Sequence, residues 1–361
     1  MSDNKELAGV QILRAVAVSL VVLDHIEGML AMPKYFGVKM AQGYLAAGTV
    51  GVDLFFVISG FIICYVTGNL DGRTVTVGQF VLRRACRILP LLWLYVAFHF
   101  LSRSMHVGGL DAAAYLRAFT LYPLGTVHPD QVWTLRHEAI FYGFAALAIA
   151  GSWWRAPLWA FFVVPLAWAM VDPSSAARPE GSSLASEVFS LRANTGFAFG
   201  VLTALAFARF GAPNLRDWQY GALLLLSLPA LLVVGNVLPM AQAAAPVASA
   251  VALAALCAGL VYLTLGMKAG RSRIGGAAVL VGAASYAIYL THDAFISIGG
   301  VLSRLLHIRS VVAGSALCFA LILVAGIVIH LRIEKPLVRA ARRWAASLGR
   351  AMPGQAARPG T

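Results

Sequence analysis

Charged residues make up only 12% of this 361-residue chain, and acidic ones are the scarcer kind, 15 Asp and Glu against 28 Lys and Arg. Set beside 60% hydrophobic residues and a mean hydropathy of +0.79, so little charge excludes a soluble fold, whose core would not bury that much apolar surface. Cysteine is also sparse. Cys64, Cys86, Cys257 and Cys318 lie in or beside apolar runs and form no CxxC pair, so neither a zinc site nor a disulfide framework is indicated. GxSxG, Walker A and paired-His metal patterns are absent, and no metal ligand set is expected. No nucleic-acid motif interrupts the apolar segments. The net charge of +13 therefore reads as membrane orientation and contact with anionic lipid.

What is there is a succession of apolar stretches near residues 10–30, 47–66, 88–101, 133–151, 157–171, 194–210, 218–234, 247–265, 277–302 and 311–333. These predict an all-α integral membrane protein, a bundle of about ten transmembrane helices, although some stretches fall short of the ~20 residues of a full span. With the N-terminus in the cytoplasm most Lys and Arg fall inside, which predicts cytoplasmic termini and an even number of spans. Residues 1–345 form the membrane unit, and 346–361, rich in Gly, Pro and Ala, are expected to be a disordered cytoplasmic tail. Asp24, His25 and Glu27 interrupt the first stretch and no small-x-small site follows it, so it reads as a retained helix rather than a cleaved signal peptide. The longer loops, 102–132 and 172–193, face outward. Gly196 and Gly200 in GFAFG suit a close helix contact. The lack of an internal repeat argues against an inverted-repeat transporter.

Ionisable groups at membrane depth are costly and usually mark a site. Arg14 and His25 are eleven residues apart, which returns a helix to within about 20° of the same face and separates them by roughly 16 Å. That spacing suits a long anionic ligand with its charged head near one surface and its reactive end beside a base. An imidazole accepts a hydroxyl proton near neutral pH. Asp24, ~100° around the helix from His25, is a poor direct partner for it, so Asp53, Glu138 or Glu334 from other helices is better placed. Arg83, Arg84 and Arg87 in FVLRRACRILP stand at i,i+3 and i,i+4 spacing and can converge on phosphates arriving from the cytoplasm. Ser285, Tyr286 and His292 in SYAIYLTHD add polar groups to a late segment. His106 and Asp111 in HVGGLD copy a His-x4-Asp acyltransferase spacing, but no Asn precedes them and the match is attributed to chance.

In order, LRAVAVSLVVLDH, GVDLFFVISGFI, FVLRRACRILP, VWTLRHEAIFY, SYAIYLTH and EKP resemble the membrane-bound acyltransferase 3 family, in particular its branch that O-acetylates exopolysaccharide and lipopolysaccharide. The resemblance covers roughly residues 7–336. It implies a bundle of about ten helices in the bacterial inner membrane that moves an acyl group, usually acetyl from acetyl-coenzyme A, to a sugar hydroxyl. By the same resemblance Arg14 and His25 match the family's Arg-x10-His pair, Arg84 and Arg87 its RxxR cluster, Glu138 the acidic position before the Phe141–Tyr142 pair, and Glu334 with Pro336 its closing E-x-P. The expected catalytic set is His25, Glu138 and Asp53. Arg14, Arg83, Arg84 and Arg87 hold the donor, with Asp24, Tyr142, Ser285, Tyr286, His292 and Glu334 in support or at the acceptor.

Acetyl-coenzyme A is thus a substrate, and no tightly bound cofactor is expected. Implied partners are a polysaccharide or lipid-linked sugar, membrane lipid and separate polysaccharide-biosynthesis proteins. Two alternatives stay open: a membrane acyltransferase acting on lipid or protein with His292 as base, and a secondary transporter or polysaccharide flippase. A flippase has no need of a phosphate-binding arginine cluster aligned with a deeper histidine.

Overall fold

The computed structural model describes residues 7–72, 74–105, 110–177, 182–267 and 273–351, and among them there is no strand. The first helix, α1, spans Ala8–Leu30. A 3-10 turn at Tyr44–Thr49 leads into α2, Val50–Val66. Thr76 begins α3, Val77–Ser104, through a reciprocal capping box with Gln79. The arginine cluster therefore lies within the second and third turns of a long helix, not just ahead of a short one. Next come α4, Ala112–Thr120, and α5, Trp133–Ala150. They are followed by α6, Arg155–Val171, the short α7, Leu184–Val188, and α8, Leu191–Phe210. The long loops thus carry short helices of their own. Beyond α8 lie α9, Asp217–Ala244, and α10, Pro246–Thr264, with Pro246 at the first helical position, where its missing N–H costs nothing.

The apolar run at 277–302 folds as two helices, α11, Arg273–Ala283, and α12, Ser285–Leu305, bent by 78° at Ala284. The last segment is α13, Val311–Ile329, a π turn at His330–Glu334 and α14, Lys335–Ala351. The tail expected from 346 begins inside α14, and residues 352–361 lie outside the described residues, as does His106. Each of the ten apolar stretches falls on helical segments, the one at 277–302 on two. Seven helices among the described residues are long and apolar enough to cross a membrane, or eight if the bent pair counts as one span. This is a multi-pass, all-α membrane protein.

Three helices share one direction. Tyr286 Oη donates to the Ile88 carbonyl at 2.8 Å, and Tyr95 is bonded to Asp293, so seven-residue steps on α12 and α3 advance together. Arg14 meets Ser285 and His25 meets His292, so α1 and α12 advance together as well. The helix pair α2–α8 packs closely beside them. A Cβ on Gly60 would lie 2.2 Å from the Phe197 carbonyl oxygen, and one on Gly200 would lie 2.1 Å from that of Val57. The GFAFG segment thus makes the close contact expected of it.

Gly200→Ala is expected to destabilise the α2–α8 interface by about 1–3 kcal/mol through overpacking and to lower the melting temperature in detergent. Gly143→Ala, where a Cβ meets nothing within 4 Å, serves as control. Equal melting of both variants would contradict a tight backbone contact.

Candidate active site

A cavity of about 550 Å³ opens between α1, α2, α3, α5 and α12. Arg14, Arg84, Arg87, Glu138, Tyr142, Ser285 and Tyr286 line it. Arg14 forks onto Ser285 Oγ, with Nε at 3.1 Å and Nη2 at 2.8 Å. Ser285 opens α12, whose N-terminus carries the positive end of the helix dipole, so Arg14 and this end together favour an anion. The Arg84 guanidinium lies 5.9 Å from the Phe80 ring centre and 5.8 Å from that of Tyr142. Its buried Nε has no hydrogen-bond partner among the described residues. Opposite the arginines, Glu138 accepts from Ser59 Oγ at 3.0 Å and, through a short bond, from Tyr142.

A second cavity adjoins the first and shares Arg84, Arg87 and Arg342 with it, adding Arg83. No carboxylate lines it. Arg342 of α14 is a residue that sequence reasoning missed. Its signal was the basic face of KPLVRAARRW, which composition alone assigned to topology.

His25 does not line the cavity. It sits eleven residues further along α1, with 44% of its side chain exposed. Its Nδ1 lies 2.8 Å from the Val21 carbonyl, which only accepts, so the proton is on Nδ1 and Nε2 is left as the basic nitrogen. Asp24 approaches the same Nδ1 at 3.8 Å, beyond hydrogen-bond reach, in keeping with the helix geometry. The His25 ring stands edge-on to His292, with centroids 4.6 Å apart. His292 is fully buried, and its Nδ1 is engaged by the Tyr289 carbonyl at 2.6 Å. Phe55 and Tyr289, at a centroid distance of 6.1 Å, stand where the cavity ends short of the histidines. Tyr289 is held there by Thr134 at 2.9 Å and by the Gln131 carbonyl at 3.2 Å.

Two residues expected at the site do not line the cavity. Asp53 is buried on α2 and bidentately paired with Arg192 of α8. Glu334 is buried in the π turn and bonds His330 at 2.7 Å. Among the described residues no group of three or more His, Cys, Asp and Glu could hold a metal ion.

A family model described as an acyltransferase domain matches residues 7–330. The chain belongs to the acyltransferase 3 family. It is similar to the exopolysaccharide production protein ExoZ of Rhizobium meliloti (strain 1021), 32% identical in an alignment of 133 positions that covers 32% of this chain and 39% of that protein. It is also similar to protein 2 in the picA locus of Rhizobium radiobacter, 37% identical over 85 residues, or 21% of this chain and 42% of the relative. The matches thus span less than half the length of these curated relatives. No solved structure matches.

Replacing Asp53 by Ala removes the carboxylate that Arg192 pairs with and is expected to cost about 1–3 kcal/mol. Asp53→Asn with Arg192→Gln should recover part of that loss. Melting curves decide: a double variant no more stable than Asp53→Ala would show that the carboxylate has a role beyond this pair.

Proposed function

We propose that this protein is an inner-membrane O-acetyltransferase that moves an acetyl group from acetyl-coenzyme A to a hydroxyl of an exported or cell-surface polysaccharide. The observation that carries this reading is the shared register of α1 and α12. At one end Arg14 and Ser285 face a cavity bordered by Arg84 and Arg87; at the other lies the partly exposed His25, whose Nδ1 is engaged by the Val21 carbonyl so that Nε2 is the nitrogen left to act. The two ends lie roughly 16 Å apart along α1. A donor with phosphates at one end and a thioester at the tip of a long arm matches that layout. A simple anion does not. The printed name of the Rhizobium meliloti relative, an exopolysaccharide production protein, supports a polysaccharide acceptor.

In this mechanism the arginines pair with the phosphates, where a planar guanidinium gives two parallel hydrogen bonds. Ser59 and Tyr142 both donate to Glu138, which fixes the carboxylate in the wall of the cavity that Arg14, Arg84 and Arg87 also line. The arm passes Phe55 and Tyr289. His25 Nε2 takes the proton of the acceptor hydroxyl as its oxygen attacks the thioester carbonyl. The C–S bond breaks, and the imidazolium returns its proton to the departing thiolate, which restores the base.

His25→Ala should leave an inserted, folded protein whose acetyl transfer falls by about 10²–10⁴-fold, the usual worth of a general base. Polysaccharide O-acetylation at the parental level in cells expressing this variant would refute the assignment.

Arg87→Lys keeps the positive charge that topology requires but loses the fork. The KM for acetyl-coenzyme A should therefore rise about 10-fold or more while kcat changes little. An unchanged KM in both Arg84→Lys and Arg87→Lys would reduce these residues to topology signals.

A further inference from the structure

A second polar cluster occupies the opposite end of the same three parallel helices. Asp293 directly follows His292, whose ring touches His25. Its Oδ1 accepts from Tyr95 and, at 3.1 Å, from Gln131 Nε2, whose other hydrogen goes to the Leu290 carbonyl at 2.7 Å. Its Oδ2 faces His99 Nε2 at 3.8 Å. That gap is too wide for a direct hydrogen bond. His99 Nδ1 is engaged by Tyr115 Oη at 2.9 Å, so with the tyrosine as donor His99 presents an N–H toward Asp293. The two side chains remain open to the exterior, 19% exposed for His99 and 25% for Asp293.

One oxygen fits this gap. A hydroxyl about 2.8 Å from each atom donates to Oδ2 and accepts from Nε2–H, with normal bond lengths to both. Tyr95 and Tyr115, both buried, pack their rings near His99 at centroid distances of 6.1 Å and 5.7 Å and hold it in place. A partly exposed carboxylate beside a ring N–H sets an acceptor next to a donor, which a ligand with many hydroxyls can satisfy at once. His99 lies twelve residues beyond Arg87 on α3, about 18 Å along the axis, so the cluster sits apart from the arginine cavity, at the end of the bundle where His25 is exposed.

We infer that Asp293 and His99, braced by Gln131, Tyr95 and Tyr115, form a carbohydrate subsite that holds a sugar ring of the acceptor beside His25. This rests on the reading of His25 as the base of acyl transfer, but its test does not need turnover. The probe is a set of oligosaccharides cut from the chemically deacetylated exopolysaccharide of the producing cell. Binding to the purified full chain is measured by saturation-transfer NMR without a donor. The parent should bind, while Asp293→Asn and His99→Gln bind at least ~10-fold more weakly with melting temperatures close to the parent's. Parental affinity in both of these variants, or no binding by the parent, would overturn the subsite. Should Asp293→Asn fail to fold, His99→Gln alone decides. If binding behaves as expected and the parent consumes no acetyl-coenzyme A, the subsite stands and the acetyl-transfer reading falls.

Discussion

A guanidinium between helices has to be matched by acceptors, and Arg14 finds its acceptor on Ser285, the first residue of a helix that begins only because the chain breaks by 78° at Ala284. Without the break Ser285 would be an interior helical residue, and its hydroxyl would face the i−4 carbonyl of its own helix. With it, the N–H groups of a helix start lie beside a cation, two positive features that do not neutralise each other. The register of α12 against α1 and α3 follows from this anchor. Seven residues on, the same helix delivers His292 to His25 and, one residue later, Asp293 to Tyr95.

Much of this was legible in the sequence because it depends on spacing along single helices. Eleven residues between Arg14 and His25, and three between Arg84 and Arg87, fix faces and separations before any packing is known. Asp53 was not legible. A carboxylate in GVDLFFVISGF has no local property that distinguishes a base from half of an ion pair, and Arg192, its partner, lies 139 residues away. The break at Ala284 was hidden for a related reason: the apolar run passes through it uninterrupted, and the bend is set by what α11 and α12 pack against.

Glu27 lies still further from sequence reasoning. Both carboxylate oxygens are consumed by backbone N–H groups of Ala41, Gly43, Leu45 and Ala46 at 2.8–3.1 Å. A buried carboxylate two residues from His25 therefore works as a clasp on the loop that leads into α2. It satisfies four donors that would otherwise have been orphaned in an apolar setting. Nothing in DHIEGML distinguishes it from Asp24, whose side chain stays partly open. The difference lies in which loop folds back over the helix end.

The α2–α8 contact bears on how cargo crosses the membrane. At Gly60 and Gly200 backbone meets backbone, and nearby the Asp53–Arg192 pair ties the same two helices. Helices joined in this way have no rotamers with which to slide or ratchet past one another, so this half of the protein behaves as a fixed wall. A machine that alternates between inward- and outward-facing shapes needs an interface able to shear. If this half holds its shape, then on the proposed function the part that must move is the donor's own flexible arm, and the barrier to transfer would scale with the length and bulk of the acyl group rather than with the energy of a conformational change.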